Sequence, residues 1–228
     1  MAVAALFFSL SAFAGSLSTT KPERVGISPA KLQLLRDYFQ RQVDTGIEPG
    51  MQVVVARRGR VVMHENFGYR NAVTQDPLTD DTLFRMMSLT KPVTNAAAMI
   101  LFEEGKFSMD DPIARFIPEL AGLQVLAGVD ESGELILEEA RHAPTMHELM
   151  THTAGFTYGG GYNDTPVNTL YQQHKPFEPG IDREESIRRL SRTALAYQPG
   201  TEYMYSYSAD ILGLVIESIS GMELEAFL

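Results

Sequence analysis

Cysteine is absent from this 228-residue chain, which excludes disulfides, thiolate nucleophiles and cysteine-ligated zinc. Positive charge is scarce: 19 Lys and Arg stand against 29 Asp and Glu, a formal net charge of −10. No basic stripe is available to neutralise phosphates, so the composition argues against nucleic acid as a partner. The sequence also lacks internal repeats, low-complexity tracts and any apolar run of membrane-spanning length. What remains is a 44% hydrophobic chain, enough for a sizeable core in one or two domains.

The N-terminus, Met1 to Ala14, is apolar and ends in the small-x-small triplet Ala12-Phe13-Ala14. This matches the hydrophobic region and cleavage site of a secretory signal peptide, although the usual positive n-region is missing. A leader over 1–20 is therefore expected, with a periplasmic or secreted protein and no stable membrane insertion after its removal. Beyond it, Ser28 to Asp44 places Leu32, Leu35, Phe39 and Val43 on one helical face. Met51 to Ala56 and Val61 to Asn66 are β-rich runs flanking Arg58-Gly59, a hairpin pattern. A second small hairpin is expected around Glu131-Ser132-Gly133, and a helix over Ser206 to Ser220 with Leu212, Val215, Ile216 and Ile219 inward. The fold class read from these elements is α+β. Its expected organisation is an α/β part over 21–109, a mostly helical insertion over 110–199, and a returning α/β part from 200 to 228.

The chemistry concentrates in Ser88-Leu89-Thr90-Lys91. A serine hydroxyl is a weak nucleophile at neutral pH and needs a neighbour to take its proton. Residues at i and i+3 share a helix face, so Lys91 reaches Ser88, and desolvation is expected to push its ammonium towards the neutral, basic form. The same S-x-x-K pattern occurs at Ser18 and Ser28. Ser28-Pro29 is an ordinary N-cap followed by proline at the first helical position, and Ser18 lies in a polar stretch. Only Ser88 opens a segment, Pro92 to Phe102, that is apolar nearly all round and reads as a core helix ended by Gly105.

Three histidines, His142, His147 and His152, are spaced by five, whereas the zinc-protease pattern needs four, so no metal or other cofactor is expected. His147 reads instead as part of a short helix and His152 as the turn after it. Tyr158-Gly-Gly-Gly-Tyr162 reads as a loop that could overhang a site, and Arg57-Arg58-Gly59-Arg60 as a solvated turn.

Taken in order, Ser88-Leu-Thr-Lys91-Pro92, His152-Thr-Ala-Gly155, Pro199-Gly-Thr201, Tyr205-Ser-Tyr207 and Asp210-Ile-Leu-Gly213 resemble the serine β-lactamase-like hydrolases. The match is nearest the class C-like branch with its family VIII-type esterases, and it runs from about Val25 to the end. The resemblance implies a β-lactamase and penicillin-binding-protein-like fold, with Ser88 acylated, Lys91 as its proton partner and Tyr205 as general base and acid. It implies an oxyanion hole made by the Ser88 N–H and a second N–H from a later strand. A Lys-Thr-Gly-like third motif does not occur before Leu228, so the resemblance further implies a C-terminally truncated chain lacking some sheet strands.

Many relatives carry Asn where Tyr207 stands. A phenol offers one hydroxyl and a broad apolar face in place of an amide's donors and acceptor, which points to esters above lactams and makes Tyr207, with Tyr158, a substrate-binding candidate. The expectation is a serine hydrolase cleaving small-molecule carboxylic esters through an acyl-enzyme. A β-lactamase or D-Ala-D-Ala peptidase uses the same chemistry, and a non-catalytic ligand- or peptidoglycan-binding relative is the alternative of another class. The oligomeric state has no signature in the sequence.

Overall fold

A computed structural model describes residues 17–228; most of the expected leader lies outside the described residues. The chain divides into two compact units, up to Arg85 and from Met86 to Leu228.

In the first unit, helix α1 (Pro29–Asp44) begins as its sequence dictates: the Ser28 hydroxyl accepts from the Lys31 N–H and Pro29 sets the first turn. Ser28 is thus a cap. Strands β1 (Gly50–Arg57) and β2 (Arg60–Asn71) pair antiparallel, and the short β3 (Asp76–Pro77) completes the order β1-β2-β3. The hairpin turn is made by Arg58 and Gly59, both at positive φ (54° and 69°), the backbone that matches strand twist in a two-residue connection. Leu32, Met63 and Phe67 are buried between helix and sheet, with Leu35, Phe39 and Val43 packed beside them.

The second unit holds the larger core. Helix α2 (Thr90–Glu103) follows a 3₁₀ turn at Met87–Leu89 and ends at a left-handed Gly105, whose N–H and that of Lys106 reach back to Phe102 and Leu101 carbonyls. Strands β4 (Gln124–Val129) and β5 (Leu135–Glu139) form the second hairpin. They are followed by helices α3 (Met146–Met150), α4 (Asn168–His174) and α5 (Arg183–Leu190). A short strand, β6 (Ala194–Leu195), pairs parallel to β4, giving the order β5-β4-β6. Helices α6 (Ser208–Ser220) and α7 (Leu224–Phe227) close the unit. Helix α6 packs on α2 and α3, and its Ile211, Leu212, Val215 and Ile216 are wholly buried.

Helix α2 departs from expectation. Ala97, Ala98 and Leu101 enter the core, but Val93 and Ile100 are each 52% exposed, so the rod is buried on one face and uncovered on another. Spacing explains this: Val93 and Ile100 are seven apart and share one stripe, while the buried Thr94, Ala98 and Leu101 lie about a third of a turn round the helix, with Ala97 at the border between the two. Composition cannot separate the two faces of a helix that is apolar on both. Among the described residues, no helix is long and apolar enough to cross a membrane.

Candidate active site

Ser88 lies within the 3₁₀ turn Met87–Leu89, immediately before α2. The residue before it, Met87, has φ 49°, a left-handed conformation that is uncommon outside glycine and turns the backbone sharply at Ser88. Lys91 stands one turn along, partly buried, with Nζ 4.8 Å from the centre of the Tyr205 ring and 5.6 Å from that of Tyr158.

The tyrosine arrives from a segment laced to the His152–Gly155 turn. The Ala196 N–H donates to the Gly155 carbonyl at 2.7 Å, that of Gly200 to Thr153 at 2.9 Å, and that of Met204 to His152 at 2.9 Å. Gly155 has φ 90°, and a Cβ there would meet the Tyr197 carbonyl oxygen at 2.6 Å, so this lacing requires glycine. The last rungs hold the two residues flanking Tyr205. Ser206 is fully buried, its N–H donates to His152 Nδ1 at 3.3 Å, and its hydroxyl lies 2.9 Å from that of Ser208. Because Nδ1 accepts, the imidazole carries its proton on Nε2. Burial, and then the Lys91 charge, hold the His152 pKa below its ordinary value, keeping the ring neutral against the Tyr205 ring at 5.0 Å.

A second anchor comes from the loop after Tyr158. Asn163 donates its amide to the Tyr205 carbonyl at 2.9 Å. Asn168 in turn donates to the Asn163 carbonyl at 2.9 Å, and the buried Thr157 hydroxyl lies 2.8 Å from the side-chain oxygens of both asparagines. The Tyr158–Tyr162 loop reaches the site as expected: its two end rings pack on Tyr205 at 5.5 and 5.6 Å. Asn163 carries no chemistry of its own and was invisible as a site residue, since its partner is 42 positions away.

Three phenols crowd this region, and their environments separate them. Burial raises the pKa of Tyr158 and of Tyr207. Tyr205 moves the other way: the neighbouring Ser88 side chain is the largest influence, Lys91 and Tyr158 add to it, and together they outweigh burial and hold the phenol below its ordinary value. Lys91 corrects the expectation of a neutral amine. Burial is its largest influence and works against the ammonium, but the neighbouring Tyr158 and Tyr205 phenols outweigh it and leave the pKa raised. Lys91 and Tyr205 are thus shifted in opposite directions, a pattern found where acid and base groups work together. Ser88, Lys91, Tyr205 and Tyr158 are brought together; Tyr207 lies one ring further, 4.6 Å from Tyr158.

With this geometry in hand, comparison with known proteins is decisive. A family model described as Beta-lactamase matches residues 35–228. The chain belongs to the Beta-lactamase family. Among its relatives, Esterase EstB of Burkholderia gladioli is 30% identical over 183 residues, covering 78% of this chain and 42% of EstB. A putative D-alanyl-D-alanine carboxypeptidase of Salmonella typhimurium is 30% identical over 240 residues, covering 100% of this chain and 51% of that protein. The solved structure of EstCE1, a hydrolase with promiscuous acyltransferase activity, superposes with a TM-score of 0.72 at 28% identity, covering 88% of this chain and 50% of EstCE1. The chain thus spans about half the length of the relatives it matches, and its fold is that of the β-lactamases and penicillin-binding proteins within a family of serine hydrolases.

Proposed function

We propose that the protein is a serine hydrolase that cleaves carboxylic esters through an acyl-enzyme on Ser88. The observation that carries this reading is geometric: Lys91, one turn along from Ser88, holds its Nζ 4.8 Å from the centre of the Tyr205 ring; in keeping with it, the Tyr205 phenol is held below its ordinary value while burial raises Tyr158 and Tyr207. As Ser88 Oγ attacks the ester carbonyl, its proton passes to the Tyr205 oxygen, and the Lys91 ammonium offsets the charge that the phenolate held beforehand. Collapse of the tetrahedral intermediate breaks the bond to the alcohol, which leaves with the proton from Tyr205. Water then gives a proton to Tyr205 as it attacks the acyl carbon, and the same proton returns to Ser88 Oγ on release of the acid. The Ser88 N–H, at the N-terminal end of the helical segment, faces the developing oxyanion as one donor.

Esters are favoured above lactams because Tyr207 offers a ring where an amide would grip a lactam side chain. EstB and EstCE1 are described as an esterase and a hydrolase, which supports the same direction. The test is hydrolysis of p-nitrophenyl butyrate and nitrocefin by the purified protein and by Ser88→Ala. Turnover of the butyrate that exceeds nitrocefin and vanishes in Ser88→Ala is expected. Equal specificity constants would point to the lactamase or peptidase reading, and binding of either compound without turnover to a non-catalytic relative.

A further inference from the structure

Beside the proposed catalytic centre lies a cavity of about 400 Å³ walled by Tyr158, Tyr171, Phe177, Pro179 and Tyr207. Its size falls at the small end of ligand pockets, room for one ring and a short linker. Four of the five walls are aromatic, and they are arranged around Tyr207: Tyr158 meets it edge-on at 4.6 Å, Phe177 lies 4.7 Å away, and Tyr171 is parallel to it within 14° at 6.4 Å. These are the separations at which aromatic rings attract one another. Tyr158, Phe177 and Tyr207 nevertheless stay only partly buried, so the cluster presents ring surface to an open cavity instead of closing on itself.

The charges at the rim do not call for an anion. Lys175 pairs with Glu178 at 3.5 Å, and Glu178 also receives Arg189 at 2.9 Å. The remaining polar wall, Gln172, donates its amide to the Gly159 carbonyl at 2.7 Å. Gln172, Lys175 and Glu178 are thus each engaged within the protein, while the buried Tyr171 hydroxyl finds no hydrogen-bond partner among the described residues. The cavity offers mainly π surface, with the phenol hydroxyls as its other polar groups.

Resting on the ester-hydrolase reading, we propose that this cavity is a specificity subsite that takes an aromatic ring of the substrate. Tyr158 belongs to both places, contacting Lys91 and walling the cavity, so a ring seated there is joined through a short linker to a carbonyl at Ser88. The ring belongs to either the acyl or the alcohol part of the ester, and the chemistry of recognition is the same for both.

Two isomeric esters separate these sources: methyl phenylacetate carries the ring on its acyl side and benzyl acetate on its alcohol side, with methyl acetate as the ring-free reference. In Phe177→Ala, kcat/KM for one of the isomers should fall about tenfold relative to methyl acetate, and the isomer affected identifies the side. An equal change for all three esters would overturn the subsite. Binding without turnover gives an independent arm: Ser88→Ala protein titrated calorimetrically with phenylacetamide should bind it more tightly than acetamide, and adding Phe177→Ala or the less disruptive Phe177→Leu should remove the difference. Unchanged phenylacetamide affinity in a folded Phe177→Leu protein would also overturn it. Ring-dependent binding in a protein that hydrolyses no ester would uphold the cavity while refuting the hydrolase reading.

Discussion

The two walls of the candidate site are built differently. On the nucleophile side, Met86 through Thr90 are all exposed, the turn is held by a Leu89 N–H to Met86 carbonyl bond, and α2 leaves an apolar stripe uncovered. On the tyrosine side, Tyr205 is clamped by the Asn163 amide, and its neighbour Ser206 is sealed in the interior against His152. The difference teaches where preorganisation resides in this chain. The segment that carries Tyr205 is fixed by a buried polar network, which is demanding because every member must be satisfied, whereas Ser88 is presented on a strained and exposed turn. Substitutions behind Tyr205 should therefore damage catalysis, and substitutions on the open face of α2 should do little.

The largest effect is expected from the phenol itself. Tyr205→Phe should lower kcat on the order of a hundredfold to ten-thousandfold while leaving the fold intact. The pH profile sharpens this. Since the Tyr205 pKa is depressed below 10.0, kcat/KM should rise through a limb lying below that value as the phenolate forms; since the Lys91 pKa is raised above 10.5, activity should fall only beyond it, when the ammonium is lost. Tyr205→Phe should abolish the rising limb, and its persistence would assign the base elsewhere.

Next comes Leu212→Ala. This wholly buried side chain in α6 supports the segment that carries Tyr205, and its truncation should cost about 2 to 5 kcal/mol in chemical unfolding. Asn163→Ala should follow, with kcat down about tenfold and KM changed less, because the amide positions the Tyr205 backbone without touching substrate. A rise in KM alone would show that the loop serves binding instead. The smallest effect belongs to the other wall: Ile100→Ala, at a position 52% exposed, should alter stability by less than about 0.5 kcal/mol. A large loss there would break the contrast between the walls.

Much of this was legible in the residues. Ser28 announced a cap, Arg58-Gly59 a tight hairpin, and Gly105 a helix end, because each depends on local backbone chemistry that neighbouring residues determine. The ordered motifs announced the family. Three things were not legible. The open stripe on α2 was hidden because alanine, valine and isoleucine read as core on either face. The sign of the Lys91 shift was hidden because it depends on two phenols, Tyr158 and Tyr205, contributed from 67 and 114 positions later in the sequence, whose influence outweighs desolvation. Asn163 escaped for the same reason: its role is a contact across the fold, with no pattern around it.

The most direct test of the central claim, that Ser88 is the nucleophile and Tyr205 its base, is covalent labelling read by mass. The purified protein is incubated with a fluorophosphonate, which traps an activated serine, and the digest is mapped alongside Ser88→Ala and Tyr205→Phe proteins. A single adduct on the peptide containing Ser88, absent in Ser88→Ala and formed much more slowly in Tyr205→Phe, is the predicted result. Labelling that persists in Ser88→Ala, or that proceeds at the same rate in Tyr205→Phe, would contradict it.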